Sequence, residues 1–266
     1  MRLHTEYKMK LWSAVFLALG LIGCQQNSPS VNGYAVINHE GESFYIDQTE
    51  VTIGAFRDFI LQTGYVTTSD SLGWSGVFAT NQGGWIPVTQ ANWEKPLGQE
   101  IGADELPVTH VSYFDAVAFC SWKNGRLPSA DEWDAAAGEK INPGNVWEGP
   151  FPYHNSGKDG YLEEAAPVGQ FEPNANGLYD MFGNVWEWTS SNSERSETGH
   201  FYANGQLIDE SEMKGKIIKG GSFLCDENYC AGYIPSKYQI TPEDSGMNHL
   251  GFRCVYDYRD LEPAGS

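Results

Sequence analysis

Cys225 and Cys230 stand four residues apart behind a Gly220-Gly221-Ser222 turn. Bonded to each other they would make a small local disulfide, the ordinary fate of such a pair in an exported chain. As two thiolates they would instead form a soft ligand set, suited to Cu(I) or zinc. A structural zinc site closes with four ligands, and no second Cys or His pair at zinc-finger spacing is present to complete one. Cu(I) accepts low coordination and leaves room for a third, incoming thiol. Spacing alone leaves the disulfide and the metal pair equally open.

A second kind of chemistry is written in oxygen. The stretch from Asn145 to Tyr161 is rich in amide and carboxylate side chains, and calcium takes six to eight oxygens from carboxylates, amides and main-chain carbonyls. The plainer reading is that Asp159, and Asp180 further on, cap turns. His110 reads as a hydrogen-bonded core histidine rather than a metal ligand.

These groups need elements to hold them. Phe44-Tyr45-Ile46-Asp47 reads as a strand, and Thr52 caps a helix whose inward stripe is Ile53, Phe56, Phe59 and Ile60 and whose end is Gly64. Ser112 with Asp115 starts a second helix carrying Val117, Phe119, Cys120 and Trp122; Ser129 with Glu132 is the S-x-x-E box of a third. Between them, Gly73 to Pro96 mixes Trp74, Phe78, Trp85 and Trp93 with glycines, and we expect irregular chain with most of these tryptophans in the core.

Composition sets the outer limits. The 266 residues, 41% hydrophobic, suffice to bury one substantial core, and 30 Gly with 13 Pro and no sustained apolar period predict a loop-rich single domain. Residues 1–23 read as a leader: Arg2, Lys8 and Lys10, an apolar run from Leu11 to Leu21, then Leu21-Ile22-Gly23-Cys24. That ending resembles a bacterial lipobox, which would make Cys24 a lipidated first residue; a plain cleaved signal or an uncleaved anchor is the other reading. Gln25 after the cysteine leans towards the outer membrane. Residues 24–35 read as a tether and 36–260 as the folded domain. The formal charge is −19, and removing the leader takes away three basic residues and only one acidic one. Such a surface excludes nucleic acid and anionic lipid as partners and suits cations or basic peptides, or serves solubility alone.

Gly220 to Cys230, with Thr241-Pro242-Glu243-Asp244-Ser245-Gly246 and Leu250-Gly251-Phe252-Arg253-Cys254, resembles the active-site segment of the formylglycine-generating enzyme (sulfatase-modifying factor) family. Asp47 to Tyr65, Arg126 to Trp133 and Gly183-Asn184-Val185-Trp186-Glu187-Trp188 resemble other parts of it, so the likeness covers most of residues 44 to 256. It implies an α+β, loop-rich formylglycine-generating-enzyme fold, a C-type-lectin-like variant with little regular secondary structure, acting as a monomer.

In that family the positions matching Cys225 and Cys230 bind Cu(I), and O2 is used to convert a cysteine of a substrate protein to formylglycine. The resemblance further implies that Ser222 orients substrate or oxygen and that Trp186 walls the oxygen pocket. It implies a structural disulfide between Cys120 and Cys254, one Ca2+ at Asn145, Val146, Asp159 and Tyr161, and a second at Asp180, Gly183, Val185 and Glu187. Departures cluster around the substrate rather than the metal. Trp74 stands where sulfatase-acting relatives carry an acidic groove residue, Asp226 where a histidine is usual, and Ile234, Lys237, Tyr238 and Gln239 fill an arginine-containing segment. The target is then a cysteine in an exported protein, a sulfatase or another. The competing reading is a non-catalytic, calcium-stabilised surface binding lipoprotein, opposed by retention of both cysteines. A third is sulfoxide-synthase-type carbon–sulfur bond formation, which in relatives uses iron on histidines and an added helical domain not read in this sequence.

Overall fold

The structure, a computed structural model, describes residues 30–31, 33–192, 202–203, 206–207, 215–228, 230, 232–235 and 237–257. The leader and Cys24 lie outside the described residues.

Local signals in the sequence set the helices. Thr52 accepts the Ala55 N–H at 3.2 Å and starts α1 (Ile53–Thr63), which buries Ile53, Phe56 and Phe59 and stops at Gly64. Thr67 caps the short α2 (Thr68–Leu72). Reciprocal capping boxes open α3 (Tyr113–Trp122), through Ser112 and Asp115, and α4 (Ala130–Ala137), through Ser129 and Glu132. Such caps satisfy amides that the first helical turn leaves without partners.

Two four-stranded sheets hold the rest. The first joins β1 (Ser30–Val31), β2 (Tyr34–His39), β3 (Glu42–Asp47) and β12 (Val255–Asp257) in that order. The second runs β10 (Gln239–Thr241), β9 (Lys216–Lys219), β6 (Trp186–Asn192), β11 (Leu250–Gly251), with β11 parallel to β6 and Leu250 opposite Trp186. A two-residue pair, β7 (Tyr202–Ala203) and β8 (Gln206–Leu207), stands apart in the sheet order. The main core lies between α1, α3 and residues 250–256, where Phe56 and Phe119 stack at 5.6 Å and Phe252 meets both edge-on. Burying each such ring contributes on the order of 2 kcal/mol. Cys120 and Cys254 are bonded inside this cluster, 134 residues apart in sequence.

One expectation is corrected here. Residues 74–89 are not irregular, though 90–96 are: β4 (Trp74–Ala79) and β5 (Gly84–Thr89) form an antiparallel hairpin with Phe78 opposite Trp85. Trp93 is in the core, but Trp74 and Trp85 are 46% and 42% exposed. Glycines at 76, 83 and 84 break the alternation that would have marked the strands. The hairpin is held laterally by main chain: Gly76 N–H donates to the Gly246 carbonyl and Asn248 N–H to that of Gly76.

Candidate active site

Strand β9 delivers the chain to Gly220 and Gly221, both with left-handed φ (95° and 76°). The turn is locked by Gly183 N–H to the Gly220 carbonyl at 2.8 Å and Phe223 N–H to that of Asn184 at 2.9 Å. Close approach explains the glycines better than flexibility does. A Cβ on Gly221 would lie 2.5 Å from the Tyr233 nitrogen, and one on Gly232 would lie 2.3 Å from the Trp186 ring. The cysteine loop therefore folds back on itself against Trp186.

Within that loop Cys225 and Cys230 are bonded to each other, with Cα atoms 5.3 Å apart. Cys225 is buried and Cys230 half-buried. The Ser222 hydroxyl lies 3.8 Å from the Cys225 sulfur and also accepts the Leu224 N–H at 3.3 Å. Trp186 is enclosed, and its Nε1 has no hydrogen-bond partner among the described residues. So four predicted site residues, Ser222, Cys225, Cys230 and Trp186, converge, and of the two open readings for the thiols the structure holds the disulfide.

On one flank, Phe78, Trp147, Phe223 and Leu224 form an apolar cluster, and Trp147 N–H donates to the Cys225 carbonyl at 3.1 Å. Beside Trp85, which packs on Phe78 of that cluster, lies a histidine pair. His110 is buried as expected, with Nε2 2.8 Å from the Pro96 carbonyl and Nδ1 2.8 Å from the Ser75 hydroxyl. The carbonyl can only accept, so Nε2 carries the proton, while the single Ser75 hydroxyl proton is shared between the Gly246 carbonyl at 2.7 Å and Nδ1. Burial lowers its pKa to about 4. His249, which the sequence reading passed over, is equally buried; burial first and His110 second lower its pKa to about 3. Among the departures, Trp74 is exposed at the open end of the hairpin, Lys237 is exposed, Asp226 is buried, and Ile234, Tyr238 and Gln239 are half-buried.

Residues 13–258 match the family described as Sulfatase-modifying factor enzyme 1-like domain. The chain belongs to that family. It is 36% identical over 254 residues to a protein of Mus musculus named formylglycine-generating enzyme, covering 82% of this chain and 67% of that one. It is also 34% identical over 247 residues to a Bos taurus protein named inactive C-alpha-formylglycine-generating enzyme 2, covering 80% of this chain and 76% of the relative. Among solved structures, PvdO from Pseudomonas aeruginosa superposes with a TM-score of 0.55 at 18% identity, over 84% of this chain and 90% of that one, a likeness of fold.

Sulfatase-modifying factor relatives thus include both named enzymes and a named inactive form, so the donor sets of this member have to be weighed on their own geometry. Two sulfurs on one short loop, one of them buried and walled by an indole and a phenylalanine cluster, fit a soft ion such as Cu(I) once two electrons have opened the disulfide.

The first oxygen set, Asn145, Val146, Asp159 and Tyr161, is brought together, but around main-chain amides. Asp159 accepts from Val146 N–H at 3.3 Å and Tyr161 N–H at 3.0 Å, and the Asn145 side chain donates to the Glu164 carbonyl at 2.8 Å. That is the turn-capping arrangement.

The second set is different. Both oxygens of Glu187 face Arg253 at 2.8 Å, and Oε2 also accepts from Trp133 Nε1, so this carboxylate has little left for a metal. Asp180 accepts the Gly169 N–H through Oδ2, while its Oδ1 is buried with no N–H donor among the described residues. Glu50, not singled out from the sequence, accepts from Val185 N–H and the Asn184 amide in the same interior. Its pKa is raised by burial, then by Asp180 and Glu187. Three acids surround one guanidinium, and Glu50 and Asp180 lie within hydrogen-bond reach of each other; this excess of negative charge, with an Asp180 oxygen that meets no N–H donor among the described residues, fits a hard cation bound through Asp180. Among the described residues no three His, Cys, Asp or Glu side chains converge as a ready-made metal site, so such a cation would depend on carbonyls such as those of Gly183 and Val185.

Proposed function

We propose that this chain oxidises a cysteine of a substrate protein to formylglycine, with O2 as oxidant and Cu(I) held by the reduced Cys225 and Cys230. Membership of the family and the convergence of both cysteines with Ser222 and Trp186 support the reading, and the cysteine pair carries it. Bound Cu(I) would supply a soft site for a third thiolate and a route for electrons to O2. The chain's own residues do the rest. Trp186 packs in the same buried cluster as Cys225 and helps keep water from that sulfur, and the Ser222 hydroxyl can donate a hydrogen bond to it. One structural Ca2+ bound through Asp180 completes the proposal; the Asn145–Tyr161 loop is read as a capped turn. Export with a lipid on Cys24, and action as a monomer on a sulfatase or another cysteine-bearing target, are part of the same reading; Leu21-Ile22-Gly23-Cys24 motivates the anchor.

The second reading is a binding protein of the same fold that oxidises nothing, favoured by the bonded cysteine pair and by the relative named inactive. The full-length chain, reduced and loaded with Cu(I) in air, separates the two. Cysteine peptides with and without the Cys-x-Pro-x-Arg pattern are incubated and assayed for aldehyde by mass spectrometry. We expect aldehyde from wild type and none above background from Cys225→Ser. No aldehyde from any peptide, with thiol titration showing no protection by Cu(I), would leave the binding protein.

A further inference from the structure

His249 is left over by everything above. It is almost wholly enclosed, yet its Nδ1 has no hydrogen-bond partner among the described residues, and burying such a group unpaired is unfavourable. Its carbonyl accepts the Trp186 N–H at 2.8 Å, and Trp186 is the ring on which the cysteine loop closes. On its other side the imidazole lies 4.7 Å from the Trp85 ring; Trp85 meets Phe78, which clusters with Phe223 and Leu224, the two residues before Cys225. His249 is thus set between the β4–β5 hairpin and the cysteine loop.

The two indoles beside it are not equivalent. Trp186 is 1% exposed and pressed on Gly232, whereas Trp85 is 42% exposed on a two-stranded hairpin. Turning Trp85 aside gives up little packing, so that is the side on which His249 can be reached. Burial keeps the imidazole neutral, which makes it a poor base and leaves it a hydrogen-bonding group.

We propose that His249 is a positioning residue for the substrate, its Nδ1 accepting a hydrogen bond from a main-chain N–H of the cysteine-bearing segment once the Trp85 indole has turned away. A peptide N–H is the donor that fits a neutral acceptor, and every such segment carries one whatever its side chains. This rests on the oxidase reading for where the substrate cysteine goes.

The test uses full-length protein labelled with 15N-histidine. The probe is the panel peptide with the highest kcat/KM, its cysteine replaced by serine to prevent turnover. We expect the His249 Nδ1 resonance to shift on peptide addition while that of His110 stays. In turnover, His249→Phe should raise KM about tenfold, worth about 1.4 kcal/mol, with kcat within about twofold. His249→Gln, which restores an acceptor, should return KM to within about threefold of wild type. A silent His249 resonance, or equal KM for the Phe and Gln variants, on peptides that are still oxidised would overturn this inference and leave the oxidase standing. If no peptide is bound or oxidised, both fall together.

Discussion

The two disulfides of this chain sit in contrasting surroundings. Cys120–Cys254 spans 134 residues inside an aromatic core, and neither cysteine is exposed. Cys225–Cys230 spans five, has one half-buried member, and lies near three buried polar atoms without partners among the described residues, Trp147 Nε1, Trp186 Nε1 and His249 Nδ1. A region built only for stability leaves few such atoms. The difference separates what holds the fold from what is kept available for a ligand.

The largest effect that would break this contrast is a loss of stability in the wrong place. In the chain-entropy view, the long cross-link stabilises by about 5 kcal/mol and the short one by about 2. Replacing Cys120 and Cys254 with alanine should therefore lower the denaturant midpoint far more than replacing Cys225 and Cys230 with serine. Equal losses in urea titrations would remove the distinction.

A middling effect comes from pH. In the fold His110 and His249 titrate at about 4 and about 3, below the ordinary value of 6.5. Between those values the unfolded chain binds more protons, so their contribution to stability is full above pH 6.5 and is lost as pH falls. Asp47 has the opposite sign: burial raises its pKa to about 6, so its contribution is full below pH 3.8 and lost as pH rises through 6. His110→Gln should flatten the acid side of the stability curve by about 3 kcal/mol at pH 4, and Asp47→Asn should steepen it. Chemical denaturation at pH 4, 5, 6 and 7 reads both. A His110→Gln curve parallel to wild type would show that the histidine is already charged in the fold.

The smallest expected effect sharpens the contrast from the surface side. Trp74→Ala, at an exposed position, should change stability by less than about 0.5 kcal/mol, while altering the ranking of cysteine peptides in the aldehyde assay. An unchanged ranking would place Trp74 outside the substrate's reach.

How much of this was legible in the sequence follows from range. Thr52, Ser112 with Asp115, and Ser129 with Glu132 act within three residues, and all three starts stand where the sequence puts them. The pairing of Cys120 with Cys254 was readable only through resemblance. The β4–β5 hairpin was missed because its glycines erase the alternation of a strand, and Glu50 and His249 because nothing local distinguishes them. Their roles come from Asn184, 134 positions away from Glu50, and from Trp85 and Trp186 around His249. The bidentate grip of Arg253 on Glu187, across 66 positions, is equally invisible until the chain is folded.

Strand β12 pairs with β3, and the bond from Cys254 reaches back to Cys120. For a chain emerging from its amino end, the first sheet lacks β12 and Cys120 lacks its partner until residues 254–257 are out. With Cys24 taken by the proposed lipid, Cys225 and Cys230 are the thiols that appear before Cys254, so until then the partners open to Cys120 are the wrong ones. Rapid closure of Cys225 onto Cys230 would hide them, giving the short bond a use as a temporary guard on the order in which the long one forms.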